Sequence, residues 1–178
     1  MRNLKIAAVL AAALTSGSAL ALPANTASYD VILNVGGASA QVDTFRAAIA
    51  LVASPGTLDE YQGAPQGGNF RAFSFTIQAT DKVPASLVGK TALVRYRSQG
   101  GSVWGVATVA KRVSVKQLLV DSTCTAAAFP LVGTCPISAY SAGSGTVVES
   151  CTGNCVTQEI ELGTSDVEAK LFKGEKYP

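Results

Sequence analysis

Histidine is absent from all 178 residues. Without imidazole the chain has no Ser-His-Asp triad, no Cys-His pair and no histidine metal site. A serine nucleophile would have only a lysine or a carboxylate as its base, so a secreted hydrolase is a poor reading and the chain is read as non-enzymatic, with no cofactor. Net charge is nearly absent as well. There are 14 basic and 12 acidic residues, and Arg2 and Lys5 belong to an N-terminal segment that reads as a leader. The chain after the leader balances 12 basic against 12 acidic groups, so nucleic acid loses the electrostatic footprint it would need as a partner. No internal repeat of solenoid length is present.

The leader occupies residues 1–21. Arg2 and Lys5 form its positive start, residues 6–14 its apolar stretch, and Ala19-Leu20-Ala21 fits the small-x-small cleavage rule. The expected mature N-terminus is Leu22. The apolar stretch is too short for a membrane span, and no cysteine follows it to carry a lipid anchor. A periplasmic or secreted product is expected. Residues 22–178 have the length of one domain, which buries about 70% of its unfolded surface. Four cysteines, Cys124, Cys135, Cys151 and Cys155, agree with an oxidising compartment. Four cysteines allow three pairings. Proximity in sequence favours Cys124–Cys135 and Cys151–Cys155, with Gly153-Asn154 turning the smaller ring. Neither spacing is the two-residue zinc knuckle, so disulfides are preferred to a thiolate metal site.

Along the chain, residues 22–29 read as a flexible start and residues 29–35 as a buried strand. Val42, Phe45, Ile49 and Val52 recur at three- and four-residue steps, which predicts an amphipathic helix over 40–53. Residues 54–69, rich in glycine and proline, read as loop. Phe73, Phe75, Ile77 and Ala79 alternate with polar residues, as in a half-exposed strand. Residues 84–89 connect to a strand over 92–97. After Gly100-Gly101, Val103, Val106, Val109 and Ala110 follow at helical spacing, and beyond Lys111 strand and helix are equally legible. Residues 122–155 read as a cysteine-rich loop or small hairpin. Residues 156–162 alternate as a strand that Gly163 ends, and Val167 with Leu171 begin a short helix.

Three places share one grammar of strand, small-residue turn and helix start: Val35-Gly36-Gly37-Ala38-Ser39, Arg97-Ser98-Gln99-Gly100-Gly101-Ser102 and Leu162-Gly163-Thr164-Ser165-Asp166. Glycine lets backbone approach a ligand, and unsatisfied N–H groups at a helix start favour anions. Ser39, Ser102, Thr164 and Ser165 add hydroxyls. The competing reading makes the serines helix caps and the glycines turn residues. Three such turns at strand ends of one α/β sheet favour a site, because ligands bind beyond the carboxyl ends of parallel strands. The first turn is no nucleotide P-loop, since no Lys-Ser or Lys-Thr follows its glycines.

These segments resemble the phosphate-binding periplasmic proteins of ABC uptake systems. Residues 31–41, VILNVGGASAQ, look like that family's opening strand and loop. Residues 96–105, YRSQGGSVWG, look like its second strand and serine-glycine turn, and residues 162–172, LGTSDVEAKLF, like its Gly-x-Ser-Asp segment. The order along the chain is the family's, and the third segment is the most specific. The resemblance implies an α/β chain forming a partial lobe of a type II periplasmic-binding-protein-like fold, with 122–155 as a disulfide-bearing loop insertion. It implies ligand contacts from Ser39 and Ala40, from Gly101 or Ser102, and from Ser165 and Asp166, with Asp166 accepting the ligand's proton.

Departures from the pattern are an alanine at 40 where the family has a bulky residue, longer connecting segments, and the cysteine-rich region. The family's Ser-Asp segment comes early in a two-lobed protein, so the chain is expected to correspond to an N-terminal portion. Arg71, Arg95, Arg97 and Arg112 are read as surface charge rather than as the family's phosphate-binding arginine. The function so implied is an exported solute-binding module for phosphate or a similar oxyanion, with an ABC permease as its membrane partner. The alternative is an exported structural or interaction domain without a small-molecule ligand.

Overall fold

The computed structural model describes residues 28–65, 69–98, 101–127, 129–141 and 150–168. The leader, the expected start at Leu22 and the expected helix through Leu171 lie outside or largely outside these residues. The architecture is mixed α/β. Among the described residues nine strands, β1 (Val31–Gly37), β2 (Asp59–Pro65), β3 (Phe70–Thr76), β4 (Thr91–Arg97), β5 (Ser114–Leu118), β6 (Val132–Ser141), β7 (Ser150–Gly153), β8 (Cys155–Glu159) and β9 (Leu162–Thr164), accompany two α-helices, α1 (Val42–Val52) and α2 (Gly101–Lys111).

Seven strands form the main sheet in the order β7-β6-β2-β3-β4-β1-β9, and β5 pairs with β8 in a second, two-stranded sheet. β1 runs parallel to both β4 and β9. β3 is antiparallel to its neighbours β2 and β4, and β6 is parallel to β2. The carboxyl ends of β4, β1 and β9 therefore lie side by side at one end of the sheet.

Alternation along the strands builds two cores. Val35, Phe73, Phe75, Val94 and Tyr96 face α1, which meets them with Val42 and Ile49 and, half-buried, Phe45 and Val52. These four are the residues whose spacing predicts the helix, preceded here by a short 3-10 turn at Ser39–Gln41. On the opposite face Tyr61, Phe70, Ala72 and Leu93 pack with Leu118, Val120, Cys135 and Ile137. With both faces covered, β3 is not half-exposed: Phe73, Ser74 and Phe75 are all buried. Tyr29 is no free start either, since its hydroxyl donates to Ser74 Oγ at 3.2 Å and its ring packs on the second core.

Several segments depart from the sequence expectation. The expected loop over 54–69 contains β2, a central strand whose acidic residues disguise it. Glu60 is fully buried and accepts from Arg71 Nη1 at 2.5 Å, while Arg46 Nε of α1 lies 2.6 Å from its other oxygen in an ion pair off the hydrogen-bond angle. The region 122–155 is not a loop insertion, because it supplies β6 to the main sheet and holds β7 beside it. Cys135 of β6 is wholly buried, and its disulfide to Cys124 is formed. Cys155 is also disulfide-bonded; the side chain of Cys151, its expected partner, lies outside the described residues. Gly163 does not end a strand but lies within β9; the helix expected from Val167 through Leu171 falls largely outside the described residues.

The valine spacing in α2 marks a helix but not its buried face. Ser102, Gly105 and Thr108 are buried, whereas Val106 and Val109 are exposed. The reason is close approach. A methyl group on Gly105 would strike the Thr164 carbonyl and come within 2.8 Å of Gly37 Cα, and one on Gly163 would strike the Gly105 carbonyl. Helix α2 thus rests backbone against backbone on β1 and β9, which only small residues permit.

Candidate functional site

The turns after β1, β4 and β9 start at one level, because Gly36 pairs with both Arg97 and Gly163, and Gly37 with Thr164. Ala38 N–H donates to the Thr164 carbonyl at 3.2 Å, joining the first and third turns directly. Ser39 and Ala40 follow and are exposed. Ser39 caps neither the 3-10 turn, whose cap position is Ala38, nor α1, whose cap position is Gln41.

Gly101 opens α2 with φ +64, a conformation that favours glycine. The next residue, Ser102, is buried and reaches the third turn. Its hydroxyl donates to the Asp166 carboxylate, and Asp166 N–H donates back to Ser102 Oγ at 3.2 Å. Asp166 is itself exposed, so this carboxylate is open to solvent at the start of α2. The Ser165 hydroxyl is engaged locally, donating to the Val167 carbonyl at 2.7 Å and accepting from Val167 N–H at 3.1 Å. Of the expected ligand residues, then, Gly101, Ser102 and Asp166 form one cluster, Ser39 and Ala40 stand on the adjoining turn, and the proton of Ser165 points into its own turn.

Beneath these turns lies a group that spacing does not reveal. Tyr96 of β4 is 1% exposed. Its hydroxyl donates to the Ala38 carbonyl at 2.7 Å and lies 2.9 Å from Thr164 Oγ1. A phenol has one proton, and the carbonyl can only accept it, so Thr164 Oγ1 is the donor in the second contact. Burial raises the Tyr96 pKa, which keeps the phenol neutral. The one sequence signal for Tyr96 is its place on the α1-facing side of β4.

The arginines correct the surface-charge reading in part. Arg95 and Arg97 are 7% and 3% exposed on the face opposite α1. Arg95 donates to Asn34 Oδ1 at 3.3 Å, and burial lowers its pKa. Arg97 lies 5.5 Å from the Phe70 ring centroid and 5.8 Å from that of Trp104. Gly36, Arg97, Trp104, Thr108, Val115 and Ile160 line a shallow pocket beneath α2. Arg71 serves the buried Glu60. Arg112 alone fits surface charge, paired at 3.5 Å with the exposed Glu159.

Among the described residues no cluster of three metal-ligating side chains occurs, and no helix is long and apolar enough to cross a membrane. Comparison with family models, with curated proteins and with solved structures finds no match to this chain.

Proposed function

We propose that the chain is an exported binding module for a phosphate-like oxyanion, held between the turns after β1, β4 and β9. The observation that supports this best is the meeting of Ser102 and Asp166 beside Ser39 and Ala40. These residues come from turns about 60 residues apart, yet stand at the carboxyl ends of three adjacent parallel strands. In this reading Ser39, Ala40 and the first turn of α2 offer donors to the ligand's bare oxygens. Asp166 accepts from a protonated oxygen, and Ser102 turns its hydroxyl from the carboxylate to the ligand. A fully deprotonated oxyanion leaves the carboxylate facing negative charge and is rejected. The resemblance to phosphate-binding proteins adds the finer parts of the proposal: a type II periplasmic-binding-protein-like lobe and delivery to an ABC permease.

Calorimetry on residues 22–178 with inorganic phosphate and with sulfate tests the proposal. Phosphate is expected to bind and sulfate to bind more weakly at neutral pH. Asp166→Asn is expected to weaken phosphate at least tenfold, in keeping with about 1.5–3 kcal/mol for a hydrogen bond to a charged group. Equal affinity for both anions before and after the substitution would leave Asp166 as a turn residue and favour an interaction domain.

A further inference from the structure

Tyr96, Ala38 and Thr164 close a ring of hydrogen bonds across three strands. The phenol of β4 donates to the carbonyl after β1. The amide of that same residue, Ala38, donates to the carbonyl of Thr164 in β9. Thr164 Oγ1 returns to the phenol at 2.9 Å. The tyrosine ring is fixed from the other side by Phe45 of α1, its centroid 5.0 Å away. No slack remains for glycine substitutes here, since a methyl group on Gly37 would strike Thr164. Ala38 immediately precedes Ser39, and Thr164 stands two residues before Asp166. The ring therefore sets the level at which the two turns leave the sheet.

We infer that Tyr96 is the positioning residue of the candidate oxyanion site: its hydroxyl locks the β1 and β9 turns together so that Ser39, Ala40 and Asp166 meet one ligand. This role rests on the oxyanion reading. Tyr96 does not touch the ligand. It acts through Ala38 and Thr164. Tyr96→Phe keeps the ring and its packing on Phe45 but removes the phenol from the Thr164 hydroxyl and leaves the buried Ala38 carbonyl with the Gln41 N–H at 3.1 Å alone, so the link between the two strands through the phenol is lost.

Tyr61 supplies the control. It is an equally buried tyrosine on β2, and its hydroxyl lies 3.5 Å from Asp59, away from the three turns. Tyr96→Phe and Tyr61→Phe are compared in residues 22–178 by amide hydrogen exchange and by calorimetry with inorganic phosphate. In Tyr96→Phe the Ala38 amide is expected to exchange about tenfold faster and phosphate to bind about tenfold more weakly. In Tyr61→Phe both are expected to stay as in the unsubstituted protein. Unchanged exchange at Ala38 overturns the lock even where phosphate binds. Faster exchange with unchanged affinity, or the same losses in Tyr61→Phe, overturns the positioning role. Absence of phosphate binding by the unsubstituted protein overturns the oxyanion reading itself, and the exchange result then judges the lock alone.

Discussion

Asp59 and Glu60 are neighbours in β2 on opposite faces of the sheet, and they meet burial differently. Glu60 has two guanidinium partners, each about a quarter exposed. Removing one member of a buried ion pair costs about 3–5 kcal/mol; partial exposure of both arginines places Glu60→Ala at or below the low end of that range. Chemical denaturation measures it, and a loss under about 1 kcal/mol would mean the arginines find water at little cost. Among the described residues Asp59 has the Tyr61 hydroxyl at 3.5 Å as its side-chain partner, and burial raises its pKa. Its folded form prefers the proton, so its contribution is fully present below the unfolded carboxyl range and is lost as pH rises through the folded pKa. Asp121 is opposite in sign: hydrogen bonds from Thr123 and Asn154 lower its pKa, so its contribution is present at neutral pH and lost in acid. Melting curves from pH 3 to 7 are expected to show Asp59→Asn gaining on the parent toward pH 7 and Asp121→Asn losing ground there.

At the scale of elements, the contact of α2 with β9 decides whether a site exists. The helix presents Ser102, Gly105 and Thr108 to the sheet because the backbones meet at Gly105 and Gly163. Gly105→Ala is favoured by helix propensity but forces the helix away from Thr164. The expected outcome is a loss of about 1–3 kcal/mol from overpacking, together with weaker phosphate binding as Ser102 leaves Asp166. A more stable variant, following propensity alone, would show that the contact is loose. The strap after β5 is held by other means. Asn154, 5% exposed, donates to the Leu119 carbonyl and the Asp121 carboxylate, and the Cys124–Cys135 disulfide ties the same strap to β6. Replacing both cysteines with alanine is expected to cost about 2–5 kcal/mol, read from the denaturation midpoint.

For the whole molecule, the main sheet is knit from distant parts of the chain. β6 inserts beside β2 and β9 beside β1, so the sheet is completed only after most of the chain is made. The Cys124–Cys135 bridge is compatible with an oxidising compartment. Protein recovered after export is expected to take up no alkyl groups before reduction and four after it, by intact mass, with its N-terminus at Leu22. Labelling without reduction, or retention of residues 1–21, would place the chain in a reducing compartment or leave it tethered.

Local rules determined α1 and the strands β1 and β4, because each is written in apolar spacing that neighbouring residues complete. They also marked the three turns, since glycine and serine at strand ends signal backbone geometry directly. They did not determine β2 or β6. Those strands carry Glu60, Gly63, Pro136 and Cys135, residues that suit a central sheet only when Arg46, Arg71 or Cys124 arrives from elsewhere. The buried face of α2 was hidden for a similar reason: helical periodicity finds valines, but a backbone-to-backbone contact selects Gly105. Tertiary structure alone brought Tyr96 to Ala38 and Thr164, across 58 and 68 residues. Those hydrogen bonds exist because β4 and β9 both pair with β1, and strand pairing at that separation is a property of the packed sheet, not of any local stretch of sequence.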